Sequence, residues 1–191
     1  MIDLSIGEFL AVDPSIRSAG VAVFRGGCLA GAGTVKLDQG DIDDPAQRCL
    51  CMAQAIVRWA ISHEVSPRAL VLEWPQVYRA AKSKGDPNDL IGLSGVGMAV
   101  AGILSMGMLQ REQVLEVVAF TPAEWCGQLP KTTRKSGFAT SPKTLRIRSR
   151  LTPDELEAIA GIASHDAMDA IGLGLHALDR MVPRRVFPGA T

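Results

Sequence analysis

The stretch that most constrains the fold is residues 9–24, FLAVDPSIRSAGVAVF. Two apolar, β-prone runs flank a short connection with Pro14, Ser15 and Gly20, which predicts a strand, a tight turn and a second strand. Asp13 stands where the first strand ends. A carboxylate there is partly desolvated and needs a cation, a hydrogen-bond donor or a metal, although Asp before Pro is also an ordinary turn starter. The function of Asp13 therefore depends on whether other carboxylates meet it.

The rest of the chain alternates strands and helices in the manner of an α/β domain. A turn at residues 25–27 and a third strand over 28–37 complete an antiparallel meander. The pattern then predicts a helix over 45–63, a buried strand over 68–73, an apolar helix over 89–109, a strand over 114–120, a short helix over 122–126, a helix opening at Thr152 and a last helix over 164–181. We predict one domain over 1–191, with a mixed five-stranded sheet, antiparallel in its first three strands, and helices on both faces.

Composition leaves the partner open but locates two charged segments. The 191 residues can bury a full core, and the formal net charge is zero, so bulk charge does not indicate a nucleic-acid partner. Residues 131–150 nevertheless carry seven Lys or Arg and no acid, while four Asp cluster within residues 38–44. The basic loop at about 129–142, rich in Ser, Thr and Gly, is expected to be mobile.

The cysteines and the apolar segments predict a cytoplasmic protein. The four cysteines have no zinc-finger spacing and no Cys-x-x-Cys pair, which indicates reduced thiols, and the N-terminal residues have no secretion-signal pattern. Residues 90–109 are twenty residues without a charge, but five of them are Gly and no Trp or Tyr flanks them. We expect a buried, closely packed core helix there and no membrane partner. Its small residues permit close approach of another backbone and could pack on the sheet or on a partner subunit: Gly92, Gly95, Ala99 and Gly102.

Three further carboxylates can reach the end of the first strand. Glu73 closes the fourth strand, which would lie beside the first. Asp166 and Asp169 are three residues apart, on one face of the last helix and near its start. The helix dipole accounts for an acid at Asp166, but less well for Asp169, and Gly172 on the same face suggests that something packs closely there.

Four carboxylates at one place repel one another, and some would stay protonated without cations. Oxygen ligands suit Mg²⁺ or Mn²⁺, which in phosphate chemistry activate water and neutralise the leaving oxygen from sites about 4 Å apart. The residues therefore predict a divalent-metal site.

Here the chain resembles the RuvC family of Holliday junction resolvases, within the RNase H-like superfamily. The matching pieces are residues 12–15 (VDPS) with Gly20, Leu72-Glu73 at the end of a strand, and the DAMDA helix at 166–170. The resemblance implies an RNase H-like fold in which Asp13 bridges two Mg²⁺ ions, Glu73 helps to hold one, and Asp166 with Asp169 holds the other. His165 could contribute, although a His at a helix start is usually a solvated cap.

The resemblance also implies a homodimer that hydrolyses one phosphodiester in each of two opposed strands of a four-way junction. Residues 120–131 resemble the phage and prophage branches of the family more than the bacterial housekeeping branch. Cys126 stands where the bacterial enzymes carry the first of their lysines near the scissile phosphate, which leaves Lys131 as the catalytic candidate.

Two basic patches are candidate DNA contacts, since phosphate contacts and counterion release would supply the affinity. Arg79, Lys82 and Lys84 follow Glu73, with Tyr78 able to stack on an unpaired base. The second patch comprises Lys131, Arg134, Lys135, Lys143, Arg146, Arg148 and Arg150. Either patch could also be a solvated face.

The sequence leaves several functions open. The same carboxylates would serve a nuclease for forks, flaps or other branched DNA, as in phage replication or packaging, and a catalytically inactive DNA-binding relative is a further alternative. An Asp-to-Gly hairpin like residues 13–20 also opens actin-like ATPases and sugar kinases. Those proteins need a duplicated domain and a second phosphate-binding hairpin, which 191 residues with one hairpin do not supply.

Overall fold

The computed structural model describes residues 3–37, 42–75, 87–126 and 138–181. Its strands are β1 (Glu8–Asp13), β2 (Ser18–Arg25), β3 (Cys28–Lys36), β4 (Ala69–Glu73) and β5 (Glu116–Phe120). They form one sheet in the order β3-β2-β1-β4-β5. The first three strands are antiparallel, whereas β4 pairs in parallel with both β1 and β5, so the predicted mixed sheet is confirmed.

The turns and caps follow from residue type. Gly26 and Gly27, between β2 and β3, have φ of 55° and 75°, a region that glycine enters without a steric penalty. Asp44 caps the next helix through its side chain, which accepts from the N–H of Ala46, and Pro45 occupies the first helical turn.

The helices are α1 (Pro45–Ser62), α2 (Pro87–Leu109), α3 (Pro122–Trp125), α4 (Pro142–Arg148), α5 (Pro153–Ala158) and α6 (His165–Ala177). A short 3₁₀ helix spans Phe138–Thr140. The pattern missed α4, although Ser141 followed by Pro142 repeats the cap-and-proline signature of α1, α3 and α5. The last helix ends earlier than predicted, at Ala177, because the following backbone turns and Asp179 has φ of 56°.

Two apolar cores lie on opposite faces of the sheet, as expected for helices on both sides. Leu10 and Val12 of β1 point into the core with α1 and α2. The alternating Phe9 and Ala11 point to the other face, where α6 packs with α4. Strand β1 is buried on both faces, which fixes its central position in the sheet.

Helix α2 differs from the expected buried helix. Within the described ranges it is the single helix long and apolar enough to cross a membrane, over Leu90–Leu109. One side packs into the core through Val96, Val100, Ala101 and Met108. The other side is exposed at Ile91, Met98, Met106 and Leu109, at 70, 57, 68 and 65%. The prediction of a core helix is therefore correct for one side and wrong for the other.

A buried ion pair joins the segments around α6. Arg180 donates to both carboxylate oxygens of Glu155, at 2.7 and 2.6 Å, and Glu155 also accepts from the backbone N–H groups of Leu29 and Thr152. Burial alone would raise the pKa of Glu155, but these hydrogen bonds and the charge of Arg180 lower it to about 2.

Candidate active site

The ends of β1 and β4 bring the first two carboxylates to the same edge of the sheet. Val12 is paired with Leu72 in the parallel ladder, so Asp13 and Glu73 follow at adjacent strand ends. Both residues are partly buried. The expectation drawn from the strand pattern, that these strands are neighbours, is confirmed.

Helix α6 adds the other two acids because a glycine lets it approach the sheet. A methyl group at Gly20 of β2 would lie 1.8 Å from the backbone oxygen of Asp166, so only glycine permits this contact. Ser18 of β2 donates a 2.6 Å hydrogen bond to Oδ2 of Asp166. Thr34 of β3 donates to the hydroxyl of Ser164, which caps the helix. The N-terminal turn of α6 is thus attached to β2 and β3.

The four acids are close enough to affect one another electrostatically. Desolvation raises the pKa of Asp13 well above its ordinary value, and the negative charges of Glu73, Asp169 and Asp166 raise it further, against a smaller opposite effect of Lys143. Burial also raises the pKa of Asp169, although Lys143 opposes this shift. The other three carboxylates that the sequence singled out therefore converge on Asp13.

Lys143 is the cation nearest to this cluster among the described residues. Its ammonium donates a 2.6 Å hydrogen bond to Oδ2 of Asp169, and Oδ1 lies equally close at 2.6 Å. Burial would lower the pKa of Lys143, but the charge and the hydrogen bond of Asp169 outweigh it and raise the pKa. Lys143 is therefore a charged ammonium within the carboxylate cluster, whereas the sequence had placed it only among the DNA contacts.

Trp125 closes one side of the cluster. Its indole N–H donates a 2.6 Å hydrogen bond to Oε2 of Glu73, and Lys143 Nζ lies 5.4 Å from its ring centroid. A methyl group at Gly172 would lie 2.7 Å from Cζ3 of Trp125 and 2.9 Å from Cδ1 of Ile147. The sequence prediction that something packs closely on Gly172 is thus correct, and the packing residues are Trp125 and Ile147.

Other predicted residues lie near the cluster or outside the described ranges. His165 is exposed at the start of α6, with its ring 5.0 Å from that of Phe138. Burial raises the pKa of the Cys126 thiol, and the charges of Asp169 and Glu73 add to the rise against Lys143. Arg146 and Arg148 lie on α4 beside Lys143. Seven predicted residues lie outside the described residues, as does most of the basic loop expected at 129–142: Tyr78, Arg79, Lys82, Lys84, Lys131, Arg134 and Lys135.

The donor set is chemically suited to a divalent cation. Within the described ranges, no three His, Cys, Asp or Glu side chains are already grouped closely enough to ligate a metal. Oδ1 of Asp169 is buried, and its contact among the described residues is the 2.6 Å ion pair with the Lys143 ammonium. Burial and the neighbouring negative charges raise the pKa of Asp13 and of Asp169, and the four carboxylates form an oxygen-only set that Mg²⁺ or Mn²⁺ would stabilise.

Comparison with solved structures identifies the architecture. The chain matches Thermus thermophilus RuvC in complex with a Holliday junction substrate at 16% identity and a TM-score of 0.59, covering 90% of this chain and 93% of that one. A second Thermus thermophilus RuvC structure matches at 16% identity and 0.53, with the same coverage. The chain has the RuvC fold.

A structure with lower sequence identity also matches this chain. Ydc2, the yeast mitochondrial Holliday junction resolvase, matches at 10% identity and a TM-score of 0.53, over 95% of this chain and 80% of that one. No protein-family model and no curated protein sequence matches the chain. The RNase H-like architecture that the sequence pieces implied is therefore established by the tertiary structure.

Proposed function

We propose that this protein is a Mg²⁺-dependent, structure-selective DNA endonuclease that resolves four-way junctions by paired phosphodiester hydrolysis. The observation that carries the proposal is the convergence of Glu73, Asp166 and Asp169 on Asp13, at the strand ends of a RuvC fold. Of the structurally similar proteins, the Thermus thermophilus RuvC is in complex with a Holliday junction substrate, and Ydc2 is named as a Holliday junction resolvase. We also propose that the protein acts in the bacterial cytoplasm and that a phage or prophage encodes it.

The protein's own residues have distinct roles in this proposal. Asp13, Glu73, Asp166 and Asp169 would hold two Mg²⁺ ions, for which Mn²⁺ would substitute. Bound divalent metal supplies activated water and neutralises the leaving oxygen. Lys143, charged and 2.6 Å from Asp169, would stabilise negative charge that develops on the phosphate. Lys131 remains a second catalytic candidate from the sequence.

The DNA-binding surface would surround the carboxylate cluster. Arg146 and Arg148 lie on the same short helix as Lys143, so phosphates held by α4 would lie beside the acids. The proposed surface also includes Tyr78, Arg79, Lys82 and Lys84 after β4, and Arg134 and Lys135 in the basic loop. Affinity from these contacts would decrease steeply with salt concentration.

Two symmetric cuts require two active sites, and α2 offers a surface for a second copy of the chain. Ile91, Met98, Met106 and Leu109 lie along one stripe of the helix and are all exposed. Exposed apolar patches of this kind mark interaction surfaces. We therefore place the interface of a two-fold symmetric homodimer on this face of α2.

The experiment that tests the proposal is cleavage of labelled four-way junction, fork, flap and plain duplex in Mg²⁺. Paired symmetric nicks on the junction, lost in Asp13→Asn, are expected. Preferential cutting of forks or flaps would favour the alternative branched-DNA nuclease of phage replication or packaging. Tight junction binding without cutting would indicate an inactive DNA-binding relative.

A further inference from the structure

Trp125 occupies a position that links groups from three parts of the fold. It ends α3, is 3% exposed, and packs against the face of α6 at Gly172. A capping box between Thr121 and Glu124 fixes the turn that carries it. Its indole is therefore rigidly held within the core beside the carboxylates.

The indole nitrogen of Trp125 forms a hydrogen bond with one of the acids. The indole has a single N–H donor, and it donates a 2.6 Å hydrogen bond to Oε2 of Glu73. Glu73 is the last residue of β4, so its side chain leaves the sheet with several rotamers open to it. A short hydrogen bond from a buried, rigid donor selects one of them.

The face of the same ring lies against the cation of the cluster. Lys143 Nζ is 5.4 Å from the ring centroid, within the range of a cation–π contact. The same ammonium is hydrogen-bonded to Asp169. One indole thus contacts the acid from β4 through its edge and the lysine from α4 through its face.

We propose that Trp125 is a positioning residue of the candidate active site, which orients Glu73 for cation binding and holds Lys143 toward Asp169. This inference rests on the proposed function, because it assigns Glu73 to a metal site. Trp125 does not touch the reacting atoms in this assignment. It acts through the two side chains that it contacts.

The test is Trp125→Phe, which keeps an aromatic ring against Gly172 and beneath Lys143 but removes the N–H. Mn²⁺ binding is measured by electron paramagnetic resonance of the free ion, without DNA, and junction cleavage is measured in parallel. We expect about tenfold weaker Mn²⁺ binding, the range found for lost second-shell partners of metal ligands. Unchanged Mn²⁺ affinity would overturn the proposal.

A double-variant comparison separates positioning from general damage to the core. In a Glu73→Gln background, Trp125→Phe is expected to cause no further loss of Mn²⁺ affinity, because its effect acts through Glu73. An equal loss in both backgrounds would mean that Trp125 is only structural. Trp59→Phe, on α1 at the opposite face of the sheet, is the matched control and should leave Mn²⁺ affinity unchanged.

The same variants separate this inference from the proposed function. If Glu73→Gln alone binds Mn²⁺ and cleaves junctions like the unaltered protein, the metal-site assignment fails and the role of Trp125 fails with it. If Glu73→Gln loses both properties and Trp125→Phe loses neither, only the role of Trp125 is overturned.

Discussion

The ammonium of Lys143 lies 2.6 Å from Oδ2 of Asp169, although 26 residues separate the two along the chain. Lys143 is in the first turn of α4, and Asp169 is in α6. Their contact places a positive charge among carboxylates that otherwise repel one another. The contact also distinguishes Lys143 from the other basic residues of residues 131–150, because the charge of Lys143 is paired within the candidate active site.

Lys143→Met is expected to reduce junction cleavage roughly 100-fold, the scale for loss of one charge-stabilising group, while junction affinity changes little. Single-turnover cleavage and a gel-shift titration measure the two effects separately. Arg58→Met, at an exposed position of α1, is the control and should affect neither. A matching loss of affinity and rate would instead assign Lys143 to DNA binding alone.

Asp13→Asn is expected to remove cleavage and to stabilise the metal-free fold. Because burial and neighbouring acids raise the pKa of Asp13 above its ordinary 3.8, the folded state retains a proton that the unfolded chain releases. Stability from this group is present at low pH and lost as pH rises through the raised folded pKa. Urea unfolding in EDTA at pH 8 should show a gain on the order of 1 kcal/mol. A lower free energy of unfolding would contradict the assigned repulsion.

Gly20→Ala is expected to displace the start of α6. The added methyl group would lie 1.8 Å from the backbone oxygen of Asp166, and such overpacking costs about 2 kcal/mol or more. Urea unfolding measures the stability, and Mn²⁺ binding reports the displaced acid. Gly31→Ala in β3, where nothing lies within 4 Å, is the matched control. Equal stability of the two variants would exclude a close approach of α6 to β2.

Ile91→Lys is expected to convert a homodimer into monomers if the exposed face of α2 is the interface. A charge on an apolar interface has no partner and is strongly unfavourable. Light scattering after size-exclusion chromatography gives the mass directly. Ile6→Lys is closely matched, since Ile6 is 80% and Ile91 70% exposed. A dimer that survives Ile91→Lys, or is lost equally with Ile6→Lys, would place the interface elsewhere.

Glu155→Gln is expected to destabilise the fold by about 3 kcal/mol, because it leaves Arg180 without its buried partner. The pKa of Glu155 is lowered to about 2 from 4.5, so its stabilisation is present above pH 4.5 and is lost as pH falls toward 2. Thermal melts between pH 2 and 7 should therefore show a weaker acid-side decline in the variant than in the unaltered protein. If the melting temperatures of the two proteins decline equally toward low pH, the lowered pKa of Glu155 is contradicted.

Much of the candidate site followed from local pattern and topology. Asp13 and Glu73 each end an apolar run, and the carboxyl ends of neighbouring parallel strands meet at one edge of a sheet. Asp166 and Asp169 share a helix face by spacing alone. Helix α4, in contrast, was hidden in a basic segment, and its cap at Ser141 was the only local signal for it. The exposed side of α2 was also not predicted, since the sequence of an apolar helix does not distinguish a face that packs in the core from a face that forms an interface.

The sequence by itself determined the antiparallel meander, the adjacency of the first and fourth strands and the four acids, because periodicity, turn residues and short connections are local or nearly local properties. Only the tertiary structure decided which cation meets the acids and what holds it. Lys143 reaches Asp169, and Trp125 reaches Glu73, because α3 and α4 pack on α6 at Gly172. A long side chain's contact depends on the placement of helices distant in sequence, and packing rather than spacing sets that placement.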